Sequence, residues 1–290
     1  MNRLDPPITF DDAAALDTLA SNVRLGSYPA LAAHLIAIKA GYSQYVGVHG
    51  NVLTITPVVL PKALGKSLIS HYASPPQDLT NIGELREESA VGTCPMCGSL
   101  HTWSLDHVLP KETHPAFAIF TPNLVPACHC NTKRGTALVG PNPGERILHP
   151  YFDDVLAERN LAARFDDLGR APRITIRVLR HHTDPAYPAV SFHLEKVVLP
   201  AGARRYMIKR WARLVRQPSA IAANLSRRPQ TLGELTDTLE RERDRADDSR
   251  ESKNNWDSLF LTGLLDAHVI GWLFDRLVDP LRNDDAPLRI

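Results

Sequence analysis

The residues of this sequence whose types suit catalysis or metal binding concentrate between positions 94 and 135. Asp106 and His107 are adjacent and have Leu105 and Val108 on either side, a pattern typical of a β-strand that carries two polar side chains at its end. The unperturbed pKa of histidine, near ~6.5, suits proton abstraction at neutral pH, so His107 is a candidate general base. An adjacent Asp-His pair is more often a structural hydrogen-bonded pair, and its surroundings decide between the two interpretations.

The same stretch holds every cysteine of the chain: Cys94, Cys97, Cys128 and Cys130. Two disulfides are one interpretation, but the N-terminal residues lack a signal-peptide pattern, which predicts a cytoplasmic and reduced protein. Zinc takes four sulfur ligands in tetrahedral geometry, and two close cysteine pairs separated by a loop are typical of such a site. We therefore predict structural zinc bound by the four cysteines. His129 is the alternative fourth ligand, because the second pair is one residue tighter than usual.

The segments around these residues predict the order strand, loop, strand and helix. The first strand ends at Asp106-His107, and the loop that follows passes through His114 and Phe120. Residues 124–127 are apolar and predict the second strand, directly after Asn123. A helix is expected to begin at Asn131, where the asparagine side chain suits a helix cap.

This order of parts resembles the HNH endonuclease family, whose core is a ββα fold that binds a metal. The resemblance rests on C-x-x-C, then D-H-V-x-P, then N-L-V-P-x-C and C-N-x-K-R-G, over residues 94–135. The runs H-P-Y-F-D at 149–153 and N-N-W at 254–256 resemble a bacterial branch of that family, some of whose members are associated with defence against phage. The chain departs from the family at the second cysteine pair, which is C-x-C-N where related sequences commonly have C-x-x-C-N.

The resemblance implies a metal-dependent endonuclease that hydrolyses DNA phosphodiester bonds. His107 would activate water, Asp106 and Asn131 would hold Mg²⁺ or Mn²⁺ through oxygen atoms, and Asn123 would brace the loop and orient the histidine. The expected products carry a 5′ phosphate and a 3′ hydroxyl. The alternative is a non-catalytic zinc-binding module that recognises nucleic acid or a protein, since such a module needs only the cysteines.

The distribution of charge predicts a surface that faces a polyanion. The chain has a net charge of +1, but residues 151–232 carry +8 and residues 233–290 carry −6. The basic residues expected to contact nucleic acid are Lys111, Lys133, Arg134, Arg205, Lys209 and Arg213. The last three share one face of a helix predicted at 204–216. DNA is the expected partner and RNA the alternative, and analogy with defence systems adds an ATPase or sensor protein.

The fold class expected from these features is α+β, a mainly helical protein around a small zinc-stapled ββα core. The predicted regions are an N-terminal helical region at 1–90, the HNH core at 91–150, and a β-hairpin with a C-terminal helical region at 151–290. Further predicted helices cover 11–46 with a break at 26–29, 60–72, 79–88 and 256–277, and 234–253 is expected to be an exposed helix or loop. Strands at 174–179 and 190–198 are expected to pair, and 52–59 to be extended. With 43% hydrophobic and 22% charged residues, a disordered or fibrous chain is excluded, and no apolar run approaches the ~18 residues of a membrane span.

Overall fold

The computed structural model describes residues 1–7, 10–88 and 92–290 of the chain. Within these ranges about half of the residues are helical and four short strands pair two by two, which makes the architecture α+β. The helices are α1 Asp12–Ser21, α2 Ala30–Gly47, α3 Lys62–Ala73, α4 Thr80–Glu88, α5 Cys130–Arg134, α6 Tyr187–His193, α7 Leu199–Ala201, α8 Ala203–Arg216, α9 Leu232–Arg250, α10 Trp256–Leu264 and α11 Ala267–Leu277. The strands are β1 Ser104–His107, β2 Leu124–Ala127, β3 Leu161–Asp166 and β4 Arg173–Val178.

The first four helices follow the predicted segments and pack around the loop that connects β1 to β2. Asp11 caps α1 by accepting hydrogen bonds from two backbone N–H groups of its first turn, which have no partner within the helix. The buried apolar side chains of these four helices form one hydrophobic cluster with Phe117 and Phe120 of the loop between β1 and β2. Residues 52–59, predicted to be extended, form a turn and irregular chain instead. The predicted boundary at 90/91 lies outside the described residues.

The segment after the first cysteine pair has the predicted order of strand, loop, strand and helix. β1 and β2 are antiparallel, with Ser104 opposite Ala127 and His107 opposite Leu124. The loop between them contains two short 3₁₀ turns, and α5 follows β2 with only two residues between them. The strand pair therefore has two ends: the cysteines lie beyond Ala127, and His107 lies at the other end.

The second hairpin differs from the predicted one. β4 matches the strand expected at 174–179, but its partner is β3, which precedes it. Residues 190–198, predicted to be a strand, are helical, in α6 and a following π-helical turn at Leu194–Val198. Val190, Leu194 and Val197 are all buried, at helical rather than alternating spacing. An apolar run of this length satisfies either periodicity, and packing decides between them.

The C-terminal half forms a second hydrophobic cluster, which includes the cysteines. Helix α8 buries Met207, Trp211 and Leu214 in it, as its amphipathic pattern predicts. The predicted helix at 256–277 is broken into α10 and α11, which meet at a bend of 80°. Among the described residues no single helix has the length and apolar character to cross a membrane, while the bent α10–α11 pair passes on length and composition alone.

Candidate metal centre and active site

The four cysteines converge on one point, as predicted. Their sulfur atoms all lie within 4.8 Å of one another, at 3.7 Å for Cys94–Cys130 and 3.4 Å for Cys97–Cys128. None forms a disulfide. Zinc–sulfur bonds in tetrahedral geometry place the sulfurs roughly 3.8 Å apart, so the cluster could hold a metal such as zinc. His129 is exposed and stacks near Trp103 at 6.3 Å, outside the cluster, which makes the four-sulfur set the one that the geometry favours.

Local backbone geometry brings the two cysteine pairs together. Gly98 closes the turn after the first pair, donating its N–H to the Cys94 carbonyl at 2.8 Å. Its φ of +78° and the 2.1 Å that would separate an added Cβ from the Asn254 carbonyl oxygen both require glycine. Hydrogen bonds from the neighbouring thiols lower the pKa of Cys128, which favours the thiolate that binds zinc.

Residues far along the chain form hydrogen bonds with the backbone of the first cysteine pair. Trp256 donates its indole N–H to the Cys97 carbonyl at 2.8 Å and its backbone N–H to the Gly98 carbonyl at 3.0 Å. His193 accepts the Leu148 N–H at Nδ1, so its Nε2 carries the proton, which it donates to the Met96 carbonyl at 2.6 Å. Burial lowers the pKa of His193 to about 4, which keeps the ring neutral. Trp256 of the N-N-W run thus holds the backbone beside the cysteine cluster, and His193 is a residue that sequence analysis missed.

His107 lies at the far end of β1, 2% exposed, in a defined tautomer. Its Nε2 lies 2.9 Å from the Ala118 carbonyl oxygen, which can only accept, so Nε2 carries the proton. Nδ1 therefore carries a lone pair. This nitrogen has no hydrogen-bond partner within the described residues. Asp106 Oδ1 lies 3.5 Å from that Nδ1 and accepts the His107 backbone N–H at 2.8 Å. Burial acts to raise the Asp106 pKa, but the interactions with His107, among them its backbone N–H, outweigh burial and the pKa is lowered.

Asn123 is fully buried and fastens the loop that carries Ala118. Its side-chain oxygen accepts the Leu109 N–H at 2.7 Å. Its amide nitrogen donates to the carbonyls of Leu109 at 3.2 Å and Phe117 at 3.1 Å. Because Phe117 directly precedes Ala118, this asparagine holds the carbonyl that fixes the tautomer of His107.

The side chain of Asn131 uses its amide nitrogen in a hydrogen bond and leaves its oxygen without a donor among the described residues. Its amide nitrogen donates to the His107 carbonyl at 3.2 Å, which fixes the orientation of the amide. The oxygen is buried and has no partner in the part of the chain that the structure describes. Asp106, His107 and Asn131 line one cleft of about 340 Å³. A carboxylate and an unpaired amide oxygen are donors that fit Mg²⁺ or Mn²⁺.

The basic residues predicted to contact nucleic acid near this cleft differ in their environments. Lys111 lines the cleft and pairs with Glu112 at 3.1 Å, and Lys133 is exposed on α5. Arg134, expected to contact phosphate, is instead 7% exposed and donates to the carbonyls of Val108 at 3.0 Å and His107 at 3.2 Å. Burial lowers its pKa to about 10. Its guanidinium therefore supports the backbone at the end of β1.

The three basic residues of α8 lie outside the cleft. Arg205, Lys209 and Arg213 are exposed, and the described residues supply no ion pair for them. The helix before α8 packs against α5, so α8 starts beside the cleft-lining helix.

Two residues of the cleft region were missed in the sequence. The ring of Tyr72, on α3, lies edge-on to the His107 ring, with centroids 4.3 Å apart. Its hydroxyl donates to the Leu105 carbonyl at 2.5 Å. Glu112 adds a second carboxylate to the cleft lining, and no spacing in the sequence distinguished it.

Comparisons of the chain with protein-family models, with curated proteins and with solved structures found no match. The function therefore has to be inferred from the geometry of the site.

Proposed function

We propose that the protein is a metal-dependent endonuclease of the HNH type that hydrolyses phosphodiester bonds in DNA. One observation carries the proposal. The unpaired Nδ1 of His107, the unpaired oxygen of Asn131 and the carboxylate of Asp106 line the same cleft. An unpaired buried polar atom costs about 1–3 kcal/mol, and a bound metal and an attacking water in the cleft would supply partners for these two atoms.

The residues divide the chemistry between them. Asp106 and Asn131 would hold a divalent metal, which when bound neutralises charge on the scissile phosphate and stabilises the leaving oxygen. His107 accepts the proton of the attacking water at Nδ1, while Nε2–H stays bound to the Ala118 carbonyl. The imidazolium then formed lies 3.5 Å from the Asp106 carboxylate, which stabilises it. Lys111 supplies a cation at the cleft for the phosphate backbone.

The decisive experiment is cleavage of supercoiled plasmid by zinc-loaded protein with Mg²⁺, with Mn²⁺ and with EDTA. We expect metal-dependent cutting, and a fall of about 10²- to 10⁴-fold for His107→Ala. The matched control is His182→Ala, because His182 is exposed and lies outside the cleft. Zinc content and circular dichroism of both variants should equal those of the wild type.

Equal cutting by His107→Ala and wild type would remove His107 as the base. The absence of cutting by folded, zinc-loaded wild type on DNA and on RNA would favour the non-catalytic zinc module. The roles in phage defence and with an ATPase or sensor partner stay predictions from the resemblance.

A further inference from the structure

The amide of Asn123 has one contact that comes from outside the cleft and its loop. Tyr45, on α2, donates its hydroxyl to the Asn123 side-chain oxygen at 3.2 Å, across 78 residues of sequence. The Tyr45 side chain is fully buried, and its ring packs against Phe117 and Phe120, with centroids 5.4 and 5.3 Å away. The N-terminal helices thus reach the residue that fastens the His107 loop.

The direction of this hydrogen bond is set by His149. The Tyr151 backbone N–H donates to His149 Nδ1 at 3.1 Å, so the proton of the neutral ring lies on Nε2. Nε2 is 2.8 Å from the Tyr45 hydroxyl oxygen and donates to it. Burial lowers the pKa of His149 to about 3, which is consistent with a neutral ring. Since the Tyr45 oxygen accepts from His149, its single proton points at Asn123.

The consequence for Asn123 is a fixed amide orientation. Its oxygen accepts two hydrogen bonds, from Tyr45 and Leu109, and its nitrogen donates two, to Leu109 and Phe117. A flipped amide would set N–H groups against the donors and the oxygen against two carbonyls. Every capacity of this side chain is therefore used, and all in one direction.

We propose that Tyr45 and His149 are positioning residues of the site. Through the amide of Asn123 they hold the loop that sets the Ala118 carbonyl against Nε2 of His107. The catalytic role of this chain of contacts rests on the proposed nuclease function. The contacts reach His107 from outside the segment from β1 to α5: Tyr45 belongs to the N-terminal helices, and His149 to the chain after α5.

The surroundings of His149 confirm that its position is constrained. Gly50 has a φ of +60°, and an added Cβ there would lie 2.6 Å from Cδ2 of the His149 ring. The His149 backbone N–H donates to Asp153 at 2.6 Å. The Gly50 backbone therefore limits movement of the ring on one side, and the hydrogen bond to Asp153 holds the backbone that carries the ring.

The test compares two tyrosines of the same helix. Tyr45→Phe removes the bridging hydroxyl and keeps the ring. Tyr42→Phe is the matched control, because Tyr42 is also buried on α2 and stacks on Phe120 at 3.9 Å, but its hydroxyl has no partner among the described residues. We expect Tyr45→Phe to lower kcat roughly 10- to 100-fold with KM for DNA unchanged, and Tyr42→Phe to leave both unchanged.

The same variants are examined by ¹⁵N NMR of the His107 imidazole. The wild type and Tyr42→Phe should show one tautomer with the proton on Nε2, and Tyr45→Phe a mixture of tautomers. His149→Gln, which keeps an N–H donor, should recover most of the activity that His149→Ala loses. If Tyr45→Phe matches Tyr42→Phe in kcat and in the NMR signals, or lowers only the melting temperature, the proposal is overturned. If the wild type cuts no substrate, the nuclease function fails, and the NMR comparison still decides whether Tyr45 positions His107.

Discussion

The four-cysteine cluster and the His107 cleft lie at opposite ends of the β1–β2 pair and are held in different ways. All four sulfur atoms come from 37 consecutive residues and would be joined to one another by a bound metal, while Trp256 and His193 hold the backbone of the first pair from far along the chain. The polar atoms of the cleft are positioned by hydrogen bonds from distant segments, through Tyr45, Tyr72 and His149. The cysteine end could thus be closed by coordination of a metal in addition to its distant contacts, whereas the His107 end is held by hydrogen bonds alone.

This difference predicts how each end responds to damage. A metal that closes the cysteine cluster stabilises the fold directly, because an unfolded chain has no preformed site. The hydrogen bonds around His107 each contribute only about 1 kcal/mol of net stability, yet they set the geometry on which the proposed proton transfer depends. Loss of a metal from the cysteine cluster should unfold the core. Loss of one hydrogen bond around His107 should leave a folded protein with an altered site.

Loss of the cluster's capacity to hold a metal has the largest expected effect. Cys130→Ser should abolish zinc binding and cost on the order of 10 kcal/mol of apparent folding free energy at the core. The measurements are the zinc content per chain, the thermal unfolding transition and the protease resistance of residues 92–150. The matched control is His129→Ala, which should keep full zinc because His129 is exposed beside the cluster. A zinc loss in His129→Ala equal to that in Cys130→Ser would show that the histidine is a ligand.

Arg134 and Lys133 are adjacent basic residues of α5 with different environments: Arg134 is buried beside the cleft, and Lys133 is exposed. Arg134→Met leaves the carbonyls of His107 and Val108 without their charged donor, and we expect a loss of about 2 kcal/mol in unfolding free energy. Lys133→Met should stay within about 0.5 kcal/mol of the wild type, because Lys133 is exposed. Urea unfolding of the zinc-loaded variants measures both. Equal losses would contradict the structural role of Arg134.

The N-terminal helices hold the His107 loop through a carboxylate whose protonation should be visible in stability. Asp12 accepts the backbone N–H of Thr121 at 3.1 Å and its hydroxyl at 2.8 Å, and burial raises the pKa of Asp12 to about 6. The folded state therefore holds this proton more tightly than the unfolded state, whose carboxyl has a pKa near 3.8. Its contribution to stability is complete below pH 3.8 and is lost as the pH rises through 6.

Asp12→Asn removes this pH dependence and keeps an oxygen that can accept both hydrogen bonds. Relative to wild type, the variant should be more stable by about 1–2 kcal/mol at pH 7.5, after allowance for the partial exposure of Asp12, and equally stable near pH 4. Urea unfolding at the two pH values gives the difference. A variant that loses stability at pH 7.5 would show that the carboxylate is favourable when ionised.

The two ends of the β1–β2 pair also differ in how far the sequence predicts them. The cysteine cluster and the order of strand, loop, strand and helix follow from spacing within one short segment, so the sequence sufficed to predict them. The strand at 190–198 was wrong because its apolar run satisfies helical and extended periods equally, and packing selects the helix. Tyr45 and Tyr72 were missed because no local spacing links them to His107, and Arg134 was misplaced because its burial depends on the folded chain.

The smallest expected effect concerns the exposed face of α8, where no coordination or buried hydrogen bond is involved. If Arg205, Lys209 and Arg213 contact DNA phosphates, each change to alanine should reduce the dependence of log K on log salt concentration by about 0.9 without altering stability. Fluorescence anisotropy with duplex DNA over a salt series measures the slope. Arg241→Ala is the matched control, because Arg241 is also exposed but lies on the acidic helix α9. Slopes unchanged in all three variants, or reduced equally by Arg241→Ala, would contradict phosphate contacts by this face of α8.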